Sequence, residues 1–395
     1  MKLLPPLCAL TLVACSGPPE RRPLPVDLVD SATIPGIPDA RGWADAPPAY
    51  TPHLFELTSE ELAERFPAVH GVPHNYLAIS GGGPRGAFGA GLLCGWTERG
   101  DRPEFQYVTG VSTGALIAPF AFLGPEHDHV LEEIYTQFST EDLVKERGIF
   151  DIAFGDAALD TQPLVDQIER LVTPEVVAAL ARESARGRSL QIVTTNLDAS
   201  RPMMWNIGRI AASGDPGATQ LIRDVILASA SIPVAFPPVL FEVEADGERY
   251  DELHVDGGAT SVVFLYPISF DWEALLQTLK VPGRPNLYVI RNGYLTERYD
   301  PVKRNVLAIA GNTIDTLMGA AVLGDLYRIY LEAERDGLRF HLAAIPESFI
   351  HPEKEPFDRD FMRALFDLGR RLGVDGYTWS RFPPGYEAPS ISPGR

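Results

Sequence analysis

Gly110-Val111-Ser112-Thr113-Gly114 has the spacing of a serine held on a sharp turn between a strand and a helix. Flanking glycines let the chain bend tightly and leave the hydroxyl at the end of a sheet, where it can act as a nucleophile. A plain turn has the same composition, so the reading depends on context. The context fits: residues 107–109 form a strand-like run, and Leu116, Ile117 and Phe120 follow at helical spacing. A second stretch, Ser80-Gly81-Gly82-Gly83-Pro84-Arg85-Gly86, lies between an apolar run at 76–79 and a helical pattern at 87–99. Consecutive glycines there leave backbone N–H groups uncovered at a helix N-terminus, where they can stabilise a developing oxyanion. Gly81, Gly83 and Gly86 also match a nucleotide-loop spacing, but no Gly-Lys-Ser/Thr is present and an anion hole is the better reading. Pro84 has no N–H, so Gly82 and Gly83 are the expected donors, with the Thr113 N–H as a third. Arg85 braces the loop, attracts an anionic head group, or is simply a surface residue. A third piece, Asp256-Gly257-Gly258, follows the strand-like Leu253-His254-Val255 and puts an acid at a strand end; alone it is no more than a good turn.

These pieces require strands that end side by side. The alternation of strand-like and helix-like segments from residue 76 onward predicts a three-layer α/β/α fold with a mostly parallel central sheet. Further strands are expected at 190–194, 287–290 and 340–345, and a hairpin between 239 and 255 turning at Asp246-Gly247. Thr58-Ser59-Glu60-Glu61-Leu62 reads as a capped helix start. Residues 306–333 read as a packing helix broken at Gly319 or Gly324.

Taken together in this order, with Ala228-Ser229-Ala230-Ser231-Ile232-Pro233 and Phe236-Pro237-Pro238, the pieces resemble the patatin-like phospholipase family. The resemblance runs from about Tyr76 to Asn292 and includes Thr195-Asn196-Leu197-Asp198 and Arg291-Asn292-Gly293. It implies a Ser-Asp dyad. Ser112 would attack a lipid ester carbonyl, Asp256 would take its proton or orient a path for it, and Gly82 and Gly83 would hold the oxyanion. Gly81, Arg85, Gly86, Gly110, Gly114, Gly257 and Gly258 would support those motifs. It also implies no metal and no organic cofactor. After Asp-Gly-Gly, family members often carry an Asn-Pro segment; this chain has Ala259-Thr260-Ser261 instead, which leaves the acyl-binding wall and the substrate open. Acyl transfer to an alcohol, and lipid binding on an inactive scaffold, are the alternative functions.

A conventional triad would need a later histidine, for which His341 and His351 are available; His254 shares alternation parity with Asp256, and a structural role is the simpler reading for it. Met203, Met204, Trp205 and Phe236 are candidates for an acyl channel, with core packing as the default.

Lys and Arg number 34 against 53 Asp and Glu, a formal charge of −19, which argues against nucleic acid as a partner and gives no support to electrostatic adsorption to anionic lipid. Membrane attachment must then be apolar or covalent. The first residues supply a covalent route: a weakly basic start, a short apolar run, and Leu12-Val13-Ala14-Cys15, which resembles the bacterial lipobox cut before an acylated cysteine. Ser16 after it resembles lipoproteins sent to the outer membrane. The expected organisation is a signal peptide at 1–14, a lipidated proline-rich tether at 15–52 holding the domain off the lipid, a helical lead-in at 53–75, the catalytic core at 76–293, and a helical extension at 294–395 packing on it. Of three cysteines, Cys8 is removed and Cys15 acylated, so Cys94 stays free, and its apolar helical setting suits a buried inert thiol.

Overall fold

The computed structural model describes residues 21–49, 52–146, 157–296, 299 and 301–386. The signal peptide and Cys15 lie outside them. Nine strands form one sheet: β1 (Arg41–Trp43), β2 (Asn75–Ile79), β3 (Tyr107–Val111), β4 (Ser189–Asn196), β5 (Arg201–Asn206), β6 (Val239–Ala245), β7 (Glu248–Asp256), β8 (Asn286–Arg291) and β9 (Arg339–Ala344). Their order is β1-β5-β4-β3-β2-β8-β9, with β7 also pairing β4 and β6 pairing β7. β4, β3, β2, β8 and β9 are mutually parallel, so their C-terminal ends share one edge. Loops that leave that edge can converge on one site.

Helices of six or more residues are α1 (Ser59–Arg65), α2 (Gly86–Arg99), α3 (Thr113–Leu123), α4 (Asp128–Thr136), α5 (Gln162–Leu171), α6 (Pro174–Ala185), α7 (Ile207–Ala212), α8 (Ala218–Ser229), α9 (Trp272–Thr278), α10 (Val306–Arg335) and α11 (Arg359–Asp375). The period of two along the strands feeds two cores. Leu77, Ile79, Ile290 and Ala343 face Phe88 and Leu92 of α2 and Phe366 of α11. Tyr76, Ala78, Leu287, Val289 and Phe340 face Leu326, Ile329 and Tyr330 of α10 and Trp272 of α9. Helices on both faces of a mostly parallel sheet make the expected three-layer α/β/α fold. Thr58 caps α1 in a capping box with Glu61, and the β6–β7 hairpin turns through Asp246 and Gly247, both at positive φ.

Three expectations change. The proline-rich segment is not a free spacer over its described part: β1 pairs β5, and Arg22, Arg41 and Asp39 are ion-paired to Glu248, Glu252 and Arg209. Proline-rich composition suits an extended chain, but these cross-chain charge pairs dock it. The segment after residue 293 does more than pack on the core as a helical extension: the strand expected at 340–345 forms as β9 and joins the central sheet beside β8. The break expected at Gly319 or Gly324 is absent, and α10 runs unbroken from Val306 to Arg335; a glycine costs a helix only about 1 kcal/mol.

Candidate active site

The G-x-S-x-G segment forms the strand-to-helix elbow. Val111 ends β3, Ser112 adopts φ 55° and ψ −123°, and α3 begins at Thr113. A non-glycine residue in that conformation is strained and persists only where its surroundings impose it. Here they do: the Ser112 N–H donates to Ser229 Oγ at 3.0 Å, and that hydroxyl donates to the Val193 carbonyl at 2.7 Å. A Cβ on Gly110 would lie 2.4 Å from the Gly114 carbonyl oxygen, so the tight turn admits no side chain.

Asp256 arrives from the opposite direction. β3 ends with Val111 opposite Val193 of β4, and the next β4 residue, Thr194, pairs with Asp256 of the antiparallel β7. Ser112 and Asp256 therefore meet end to end beside β4. Asp256 is fully buried. Its Oδ1 accepts from the Gly258 N–H at 2.7 Å, while Oδ2 has no partner in hydrogen-bond geometry among the described residues. Burial raises the carboxyl to about 7; the Ser112 hydroxyl and the Gly258 N–H pull the other way and do not overcome it.

The glycine loop is held from below by Asn292. Its side chain accepts from the Gly89 N–H at 3.1 Å and donates to the Ser80 carbonyl at 2.9 Å, and its N–H donates to Ser80 Oγ at 2.8 Å. A Cβ on Gly82 would fall 2.0 Å from the Asn292 carbonyl oxygen, so only glycine fits there. Arg291 donates to the Gly81 carbonyl at 3.0 Å; burial, and then Arg85, lower its guanidinium to about 10. Gly81 N–H is committed to the Val262 carbonyl at 2.9 Å, whereas the N–H groups of Gly82 and Gly83 donate to nothing among the described residues. Thr113, first in α3, also has no intrahelical acceptor for its N–H. The donors that remain free are thus Gly82, Gly83 and Thr113. Arg85 pairs with Glu353 at 3.8 Å at the protein surface. Gly86 packs against Thr113 and Tyr135, Gly257 against Val193, and Gly258 against Met318 of α10.

Ser112 opens on an apolar slot of about 50 Å³ walled by Leu116, Phe138, Leu164, Ile168, Ile232 and Phe236. Of the acyl-channel candidates, Phe236 lines it; Met203 and Trp205 are core. A larger cavity of about 620 Å³, which Met204 borders, lies among His74, Gln106 and Ser189, residues at the N-terminal ends of the parallel strands. It is at the wrong edge of the sheet for this chemistry.

No histidine joins the pair. His254 is buried between Thr194 Oγ1 at 2.8 Å and Glu252 Oε2 at 3.2 Å, and burial lowers its pKa. His341 stacks on Tyr288 with ring centroids 4.6 Å apart and bonds Arg381; His351 is turned to the Pro352 carbonyl. Cys94 is buried, and burial pushes its thiol far up. Among the described residues no group of three His, Cys, Asp or Glu side chains gathers as metal ligands.

Sequence reasoning assigned no role to Ser229, Asn292, Asp325 or Met318. Ser229 and Asn292 stand in the quoted segments and could have been flagged there. Asp325, whose Oδ2 accepts from the N–H groups of Val262 and Val263, and Met318 had no such signal.

Residues 77–267 match the family model described as patatin-like phospholipase. No curated protein sequence matches the chain. Among solved structures, VipD from Legionella pneumophila aligns over 77% of this chain and 67% of its own, at 13% identity and a TM-score of 0.35. Residues 77–267 are thus a patatin-like phospholipase domain.

Proposed function

We propose that this lipid acyl hydrolase cleaves carboxylic esters of phospholipids or lysophospholipids with Ser112 as nucleophile and Asp256 as base. The observation that carries the reading is the buried, unpaired Oδ2 of Asp256 beside the strained elbow of Ser112. Ionised Asp256 accepts the hydroxyl proton as Ser112 Oγ bonds to the ester carbonyl carbon, and the carbonyl π electrons move to oxygen. The oxyanion is met by the free N–H groups of Gly82, Gly83 and Thr113, which need no reorientation to receive it. As the tetrahedral carbon collapses, the C–O bond to the alcohol breaks and the alcohol takes the proton from Asp256. Water then repeats the sequence on the acyl-serine: Asp256 takes its proton, the acid leaves, and Ser112 recovers its own.

The slot beside Ser112 supports an apolar acyl chain as the group held there. The −19 charge gives no attraction to an anionic head group at long range, so recognition of the substrate rests on that apolar contact. The lipobox-like segment supports anchoring through Cys15 in a bacterial cell envelope, at the outer membrane. No described helix is long and apolar enough to cross a membrane.

Hydrolysis of long-chain phospholipid and of a short water-soluble ester by wild type, Ser112→Ala and Asp256→Asn tests the reaction. Both variants should lose activity on both substrates while keeping the wild-type circular dichroism; full activity in either would remove the dyad.

A further inference from the structure

Two features project past the same edge of the sheet, the edge that carries Ser112. The first is α10. It follows β8 and precedes the parallel β9, so it starts beyond the C-terminal edge and runs back to the other. Its 30 residues are about 45 Å long, whereas the parallel strands have five to eight residues, about 17–26 Å. Only the second half packs on the sheet, and from Ala308 to Ala321 no side chain is buried. Between residues 306 and 324 the one charged side chain is Asp315, while Val306, Ile309, Leu317 and Leu323 are 82%, 51%, 66% and 48% exposed. The projecting half leaves the domain at the catalytic loops, where Met318 lies against Gly258.

The second feature is the start of the described chain. Arg21 pairs with Asp198, which follows the C-terminal end of β4, at 2.5 Å; Arg22 bonds Asp251 at 2.9 Å and Glu248 at 3.0 Å on β7. β7 runs outward from Asp256 beyond the end of β3, so Asp251 lies five strand residues, about 17 Å, past the catalytic acid. Cys15 precedes Arg21 by six positions, which reach at most about 21 Å. An acyl group carried on Cys15 would therefore stay within that reach of the edge that carries the active site.

We infer that this edge is the face the protein lays on a lipid bilayer, with the amino-terminal half of α10 seated among the acyl chains beside the mouth of the site. The occupant is lipid because the exposed half-helix offers hydrocarbon with almost no charge, and because the amino-terminal chain that would carry the anchor leads outward at this same edge. Seating is apolar: the chain is acidic and this half-helix has no Lys or Arg, so neutral lipid suffices and salt does not release it. The inference rests on the lipid-hydrolase reading for its purpose, since it places the ester bonds of the anchoring leaflet beside Ser112.

The test uses the full chain with Cys8→Ser and Cys15→Ser, so that no acyl group contributes, and a polarity-sensitive fluorophore at Leu317→Cys or, as control, at Glu64→Cys. Glu64 is exposed on α1, whose neighbour His70 precedes the N-terminal end of β2 at the far edge. Phosphatidylcholine vesicles should shift the Leu317 label to the blue, leave the Glu64 label unchanged, and do so equally at 0.05 M and about 0.5 M salt, where charge attraction is screened. Adding Ser112→Ala should not alter the shift, which separates this inference from the hydrolysis itself. The combined variant Val306→Asp, Ile309→Asp and Leu317→Asp should lose at least about tenfold in hydrolysis of vesicle lipid and keep hydrolysis of a short soluble ester within about twofold, a tenfold loss being the size expected when binding weakens by one decade. An unshifted Leu317 label, equal shifts at both sites, or a Leu317 shift that grows with protein concentration without vesicles would overturn it, the last in favour of self-association.

Discussion

Ser112 and Asp256 face each other across a junction of strands: Val111 pairs with Val193, Asp256 pairs with Thr194, and the two chains run head to head along β4. The position of the proposed nucleophile is thus set by β3 and that of the proposed base by β7, and β4 holds both in register. Two-residue catalysis needs this precision, because there is no imidazole to span a longer gap. The same junction buries the Asp256 carboxyl, and burial brings its titration to about 7, where the proposed base would work.

Activity should follow the ionisation of Asp256. With its carboxyl raised to about 7, kcat/KM for a soluble ester should climb roughly tenfold per pH unit below that value and level above it. A pH–rate profile checks this. Asp256→Asn should lower kcat by about 10²–10⁴, the usual contribution of a general base, and flatten the profile. A wild-type limb near pH 4 would mean that the carboxyl is not desolvated.

The same group makes stability depend on pH. Its folded pKa lies above its unfolded value, so its contribution is fully present at acid pH below about 4 and is lost as pH rises through about 7. Asp256→Asn keeps the acceptor for the Gly258 N–H and removes the buried charge. The variant should therefore gain on wild type between pH 5 and pH 8 by on the order of a few kcal/mol, read by urea unfolding at both pH values. Equal pH dependence in the two proteins would contradict the assignment.

Ser229→Ala should loosen the elbow. It leaves the Ser112 N–H and the Val193 carbonyl without their partner, which costs about 1–3 kcal/mol for a buried donor. Thermal unfolding should report that loss, and kcat should fall more than KM rises, since substrate contacts are untouched.

Arg41→Ala should detach the docked amino-terminal segment. Arg41 holds the buried carboxylate of Glu252, which His254 also contacts. Burial works to raise Glu252, yet His254 and Arg41 hold it down to about 2. Its carboxylate therefore stabilises the fold above about pH 4.5 and ceases to as pH falls through about 2. Breaking such a pair typically costs about 3–5 kcal/mol. Urea unfolding at pH 7 should register it, and protease cleavage near residue 41 should accelerate.

The elbow and the glycine loop were legible because their constraints are local: close backbone approach at Gly110 and crowding at Gly82 can be met only by glycine, and the flanking periodicities name the strand and the helix. Asp256 was legible as an acid at a strand end, but its role came from resemblance, since Asp-Gly-Gly alone is a turn. Ser229 lies 117 positions from Ser112, and nothing in local pattern joins them. The docking of residues 21–49 was misread for the same reason: proline content describes a chain without partners, while Arg21, Arg22 and Arg41 find theirs on β7 and beside β4. Helical periodicity located α10 and could not tell that half of it extends past the sheet.

The proposed acyl-enzyme on Ser112, with Asp256 as its base, can be read from reaction with a fluorophosphonate followed by peptide mass mapping. One adduct is expected, on Ser112, whose rate of formation rises with pH through about 7 and drops at least about a hundredfold in Asp256→Asn, in line with loss of a general base. An adduct on another residue, or undiminished labelling of Ser112 in Asp256→Asn, would contradict it.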